Sequence, residues 1–371
     1  MSIHISRVLG LMSGSSLDGL DVALCDFQYQ LEPTFELLDW NIQTAATLPY
    51  SEAWQERLLT LVHANAKTFA ITHTQYGRYI GELIGDFLAH QEMQPDFVAS
   101  HGHTIFHFPD QHATTQIGEG AAIAAVSGYP VVCDFRSMDV ALGGQGAPIA
   151  HIADDYLLDD YDFYLNLGGI ANVTAREGDN WTAFDISGAN QVLNAIVAEK
   201  GLEYDDRGQL AASGKVLASV LESSNRLDYL HQALPKTLDN QWVQQELLPL
   251  FKMKQFSVPD RLRTACEHTA YQVAIAVQPF LPENRTAKLV VTGGGANNDF
   301  LMQCLRDQLE KVGKVTVDIP EKVIVDFKEA AMIALMGLMR TKNIPNCRGK
   351  VTGAAHDTIN GSIYQGRKKQ I

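Results

Sequence analysis

Between Arg7 and Phe27 the chain reads R-V-L-G-L-M-S-G-S-S-L-D-G-L-D-V-A-L-C-D-F. One apolar run ends at Leu11, another runs from Val22 to Leu24, and the turn between them holds Gly14, Ser15, Ser16 and Asp18. That spacing predicts a β-hairpin whose tip carries more polar chemistry than a turn requires. Bare amides and two hydroxyls can approach an anion there, and Asp18 is close enough to share a hydrated cation with it. The stretch reads as a phosphate site.

Two more glycine tips follow at strand ends. Gly168 and Gly169 separate strands predicted over Phe163–Leu167 and Ile170–Ala175, and Gly293, Gly294 and Gly295 join a strand over Lys288–Thr292 to a helix over Asn298–Leu309. Glycines let a backbone approach a ligand, and a helix start behind them adds unpaired amides for an anion. Three such tips in an α/β chain point to a nucleotide held in a cleft between two domains. A length of 371 residues also exceeds what one core usually supports. The glycine-rich A-L-G-G-Q-G-A-P, Ala141 to Pro148, marks a composition shift and places the expected boundary. The expected domains are 1–135, completed by 351–371, and 136–350. Each half opens on a hairpin with a polar glycine tip, so the two halves are expected to repeat one topology.

Elsewhere the pattern predicts a third antiparallel strand over Phe35–Ala45, a helix capped by Ser51, and a helix over Ile71–Leu88. A strand over Asp96–Phe108 carries His101, His103 and His107, and another over Tyr129–Arg136 ends in charge. Trp181–Asp185 is a strand leading into a turn and a helix, Lys215–Gln255 is polar and proline-broken, and Lys328–Met339 is a buried apolar helix. Asp154, Asp155, Asp159 and Asp160 read as a solvated face. A net charge of −14 argues against binding nucleic acid or an anionic membrane, because both demand a basic surface. Five scattered cysteines, no C-x-x-C, no leader and no apolar run approaching ~18 residues predict a cytoplasmic protein.

The stretches G-L-M-S-G-S-S-L-D-G-L-D, H-G-H-T, D-F-R-S-M-D-V-A-L-G-G-Q-G-A-P, L-N-L-G-G-I-A-N, T-G-G-G-A-N-N and T-G-A-A-H-D resemble the anhydro-N-acetylmuramic acid kinase family, over Gly10 to Gly353. That resemblance implies the actin, Hsp70 and sugar-kinase fold: two ribonuclease-H-like α/β domains with an interdomain nucleotide cleft. It implies a reaction in which ATP and water turn an amino sugar, 1,6-anhydro-N-acetylmuramic acid, into its ring-opened 6-phosphate during cell-wall recycling. Asp185 matches the position of the base that activates water, comparable to the base of an inverting glycosidase. Gly14, Ser15, Ser16 and Asp18 would hold the β- and γ-phosphates and Mg²⁺, the metal through water on Asp18. Gly168 and Gly169 approach the phosphates, and Gly293, Gly294 and Gly295 match the adenosine segment. His101, Arg136, Asp139, Asn190 and Glu329 are expected at the sugar, with Arg136 paired to its lactyl carboxylate. The resemblance further implies a homodimer, and ligands held at a domain interface predict closure about crossings near Asp134–Ala141 and Arg348–Gly353.

Asp185 to Asn190 read D-I-S-G-A-N where the family has D-T-G-P-G-N, and Asn194 replaces an aspartate. His103 stands for the family's Gln, and Ser15 for Thr. Two other readings therefore accompany the first: a kinase of the same superfamily for another sugar, and a nucleotide-binding regulator without turnover.

Overall fold

The computed structural model describes residues 2–368 other than 15, 16, 148, 150, 159, 160, 179, 235 and 239. Its strands are β1 (His4–Met12), β2 (Gly19–Gln30), β3 (Glu36–Pro49), β4 (Phe97–Ser100), β5 (His103–Phe108), β6 (Ala113–Ile117), β7 (Val131–Cys133), β8 (Phe163–Leu167), β9 (Ile170–Glu177), β10 (Asn180–Gly188), β11 (Ala287–Thr292), β12 (Val315–Asp318) and β13 (Ser362–Tyr364). They form a six-stranded sheet ordered β13-β7-β4-β1-β2-β3 and a five-stranded sheet ordered β10-β9-β8-β11-β12. In each sheet the first three strands of the half run antiparallel as a meander. The fourth and fifth then add in parallel on the other side of the first. The two halves thus repeat one strand order, the ribonuclease-H-like arrangement, despite little shared sequence.

Residues 1–159 and 327–371 form one compact unit and 160–326 the other. The division therefore falls later than the glycine-rich stretch on the first crossing, and earlier than 350 on the return. Phe135, Ile149, Ile152, Ala153 and Leu157 share one core with Ala330 to Met339 of the helix Lys322–Thr341, against the first sheet. Burial of those side chains outweighs the local shift in composition. Glycine there marks a loop inside a unit. The two stretches expected to absorb a hinge rotation are likewise tied to each other, because Thr352 Oγ1 donates to Asp139 Oδ1 at 2.7 Å.

The first unit is closely packed. A Cβ added to Gly10 on β1 would lie 1.9 Å from the carbonyl oxygen of Ala330, so strand and helix meet backbone to backbone. Asp154 and Asp155 do not form a solvated face. The helix His151–Tyr156 buries both, Asp154 3.6 Å from Lys328 Nζ and Asp155 2.7 Å from Arg348 Nη2. Burial pushes the Asp154 carboxyl upward against the pull of Lys328. Asp159 and Asp160 lie outside the described residues.

The expected single strand over Asp96–Phe108 is two. Gly102, at φ 75°, turns the chain between β4 and β5, and β5 leaves the sheet to pair with β6. Ser51 caps the helix Glu52–Thr60 as its side chain requires, accepting from the Trp54 amide.

Candidate active site

In the first unit, β1 delivers Met12, Ser13 and Gly14 to the tip of the hairpin with β2. Ser15 and Ser16, expected at the phosphates, lie outside the described residues. Asp18 is exposed, and its Oδ1 accepts from the Gly19 amide at 3.0 Å. Behind the tip, Ser13 is buried and its hydroxyl gathers three partners. Tyr50 and Tyr76 donate to Oγ at 2.8 and 3.1 Å, and His103 Nδ1 lies 3.0 Å away. Burial holds His103 below its ordinary value and lifts Tyr50 to about 12. This buried polar cluster braces the tip. Of its members only His103 stood out in the sequence, because a lone serine ending an apolar run carries no periodic signal.

One hydrogen bond joins His101 to Arg136, and each is held by further bonds of its own. The His101 amide donates to the Leu11 carbonyl, and its Nδ1 meets the Gly102 carbonyl at 3.0 Å. Arg136 Nε then donates to His101 Nε2 at 2.8 Å and Nη1 to the Gly146 carbonyl at 2.8 Å. Burial and the adjacent guanidinium push His101 down to about 3, so it is the neutral acceptor this geometry needs. Burial lowers Arg136 too, while the charge of Glu329 pulls it back up. Glu329 is exposed and two turns into its helix rather than buried, and it acts on Arg136 through its field. A cavity of about 450 Å³ opens here, between Gly14, His101, His103 and Arg136 on one side and Leu58 and Val62 on the other. It joins a cation and hydrogen-bonding groups to an apolar wall, as a sugar bearing a carboxylate and a methyl group needs.

Asp139 does not reach this cavity. It is fully buried, and its carboxylate accepts from Thr352, from the Cys347 thiol and from the Gly146 amide. Its part is to fold the glycine-rich loop so that the Gly146 carbonyl meets Arg136.

In the second unit the glycine turns assemble around Asn190. Its Nδ2 donates to the Leu167 carbonyl at 2.9 Å and its amide to the Gly168 carbonyl at 3.1 Å. A Cβ on Gly295 would lie 3.2 Å from its Oδ1, and one on Gly293 2.5 Å from Asn166 Oδ1. The asparagine expected at the sugar thus binds together the Gly168–Gly169 and Gly293–Gly295 turns. Gly294 is exposed, and a Cβ there would make only an ordinary van der Waals contact, 3.6 Å from Asn190 Nδ2, so its backbone is open to a nucleotide. For Mg²⁺ the donor chemistry also fits. The ion keeps most of its waters and needs few carboxylates besides phosphate oxygens, and Asp18 offers one at the hairpin tip.

Asp185 lies inside β10 rather than at its end, and the following helix Asn190–Val197 begins after Ala189 without a side-chain cap. The edge of β10 is covered by part of the polar stretch Lys215–Gln255, whose pattern predicts only helices and loops. Leu238 donates its amide to Asp185 Oδ2 at 2.8 Å, the Tyr229 hydroxyl donates to the Asp185 carbonyl at 2.8 Å, and the Lys236 carbonyl accepts from its amide. Lys236 Nζ folds back onto the Leu230 carbonyl at 3.1 Å, which closes that segment on itself. Asp185 is half-buried, and desolvation raises its carboxyl above the usual range against the Leu238 hydrogen bond. Oδ1 has no partner among the described residues.

A family model described as anhydro-N-acetylmuramic acid kinase matches residues 6–366. The protein of that name from Cupriavidus metallidurans is 34% identical, over 96% of this chain and 97% of its own. Those from Nitrosospira multiformis and Synechococcus elongatus are 32% and 31% identical, over 96% of this chain and 98% and 99% of theirs.

Proposed function

Because this chain belongs to the anhydro-N-acetylmuramic acid kinase family, and so opens and phosphorylates 1,6-anhydro-N-acetylmuramic acid with ATP and water in cell-wall recycling, we propose that Asp185 is its base. The observation that carries this is the asymmetry of one carboxylate. Oδ2 is held by the Leu238 amide and Oδ1 has no partner among the described residues, so Oδ1 takes the proton of water as the water oxygen bonds to the anomeric carbon. The bond from that carbon to O6 breaks, O6 bonds to the γ-phosphorus as the bond from that phosphorus to the β–γ bridging oxygen breaks, and ADP leaves. Desolvation raises the basicity of Asp185, and the Leu238 bond fixes its direction.

Arg136 orients the sugar. Its Nε and Nη1 are occupied by His101 and Gly146, which leaves Nη2 for the lactyl carboxylate. Leu58 and Val62 cover the apolar part, and Glu329 adjusts the local charge. Gly14, Ser15, Ser16, Asp18, Gly168 and Gly169 serve the phosphates, and Gly293, Gly294 and Gly295 the adenosine. Asp18 would hold Mg²⁺ through water, and the ion would neutralise charge that develops during phosphoryl transfer. The protein works as a homodimer, as the family implies, in the cytoplasm, binding neither nucleic acid nor membrane; its acidic charge and free thiols support the compartment and the absence of those partners. Among the described residues no helix is long and apolar enough to cross a membrane.

Turnover in ¹⁸O water tests the assignment. The 6-phosphate product gains one heavy oxygen at the anomeric position, and Asp185→Asn binds ATP but yields no product. Product without heavy oxygen would indicate a simple sugar kinase, and ATP binding with no product from the unaltered chain a regulator.

A further inference from the structure

Ser187, two residues beyond Asp185, is fully buried and polar, in a strand where the chemistry described above does not use it. The register of β10 against β9 shifts between the two: Asp185 faces Asn172, and Ser187 faces Ala171. In a regular strand Asp185 and Ser187 would point to one side. The extra residue, Ile186, breaks that alternation, so Ser187 joins the core side with Ala171 and Val173 while Asp185 points the other way. A hydroxyl driven into a core needs a partner. His268, from the helix Val258–Val277, supplies it with Nε2 at 3.0 Å. His268 Nδ1 in turn donates to Asn225 Oδ1 at 2.6 Å, and Gln272, one turn along, donates to the same oxygen at 3.0 Å. Burial holds the imidazole neutral, as a ring that donates at one nitrogen and accepts at the other must be.

Resting on the assignment of Asp185 as base, we infer that Ser187 and His268 are positioning residues: their hydrogen bond locks the bulge of β10 and so decides the face on which the Asp185 carboxylate stands. The chain Ser187–His268–Asn225–Gln272 resembles the serine, histidine and amide series of a hydrolase, but Ser187 and His268 are both buried, so the hydroxyl faces no substrate. Its strength lies in direction. A one-residue slip would turn Asp185 toward the core and would break the buried bond between Ser187 and His268. The sequence D-I-S-G-A-N thus holds its carboxylate with a side-chain bond anchored on a neighbouring helix.

The test is steady-state kinetics and thermal unfolding of Ser187→Ala, His268→Leu, their double variant and His268→Gln, beside Asp185→Asn. Misplacing a catalytic group by about 1 Å costs up to ~100-fold in rate, so each of the first two is expected to lower kcat by at least about tenfold. KM for ATP should stay within about twofold, since the glycine turns are untouched, and the double variant should fall no further than the worse single one. His268→Gln, which still offers Ser187 an acceptor, should recover kcat to within about threefold. Should His268→Leu fail to fold, Ser187→Ala and His268→Gln carry the comparison. A folded Ser187→Ala with unchanged kcat, or losses that multiply in the double variant, overturns the inference and leaves the base assignment standing. Turnover by Asp185→Asn overturns the base assignment itself.

Discussion

Arg136 donates from Nε to Nε2 of His101 at 2.8 Å, so a neutral histidine aims a guanidinium along the wall of the first unit's cavity. Arg136→Lys removes the fork and both fixed bonds while keeping the charge. KM for the anhydro sugar should rise about 10- to 100-fold, with KM for ATP unchanged, the scale expected when one charge-assisted bond of roughly 1.5–3 kcal/mol is lost. An unaltered sugar KM would remove Arg136 from substrate binding.

His101 and His268 both sit near 3 in the fold, against about 6.5 in an unfolded chain. Above pH 6.5 both states leave these rings neutral and pH has no effect through them. Below it the unfolded chain takes up protons that the folded one refuses, so stability falls as pH drops toward 3. Between pH 7 and 5 each ring accounts for about 2 kcal/mol of lost stability. Urea unfolding at the two pH values should show this slope, and His268→Gln should reduce the loss by the about 2 kcal/mol that its ring contributes. A slope unchanged in that variant would mean that His268 titrates normally.

The raised carboxyl of Asp185 sets a matching expectation for rate. A base must be ionised to act, so kcat falls as pH falls through its pKa, and the acid limb should lie above the ordinary carboxylate position of about 3.9. Replacing Leu238 with Pro removes the amide that stabilises the anion, and the limb should move higher still. A pH–rate profile of kcat at saturating substrates reads both shifts.

Both hairpins and the three glycine tips were legible because strand periodicity and turn residues act over a few positions. The Gly168–Gly169 turn lies between strands within one residue or two of those expected. What pattern could not show was contact between distant segments. Nothing in the polar stretch from Lys215 to Gln255 announces that Leu238 will hold Asp185, and Asp139 reads identically whether it faces a sugar or is sealed by residues more than two hundred positions away. The acidic run at Asp154 and Asp155 misled for the same reason, since its cations are on Lys328 and Arg348.

Gly10 tests the packing under Glu329. A Cβ there meets the Ala330 carbonyl oxygen at 1.9 Å and the Ala334 amide at 2.9 Å, atoms that cannot yield without moving the whole helix. Gly10→Ala should therefore cost at least about 3 kcal/mol, although alanine ordinarily suits a strand no worse than glycine. Soluble expression with an unchanged unfolding midpoint would mean that β1 and this helix stand further apart.

Asp139 separates a latch from a ligand. Its Oδ1 receives the Thr352 hydroxyl and the Cys347 thiol, and its Oδ2 receives the Gly146 amide at 2.8 Å. In Asp139→Asn one of those positions becomes an NH₂ facing a donor, in a site with no water access. The buried mismatch should destabilise the protein by about 2–3 kcal/mol. Thr352→Val, which withdraws a single donor, should cost about 1 kcal/mol. A residue that touched the sugar directly would instead raise its KM and leave the unfolding midpoint in place. Measuring both quantities for both variants decides the matter, because the latch requires the midpoint to fall in each and the loss to be larger at Asp139.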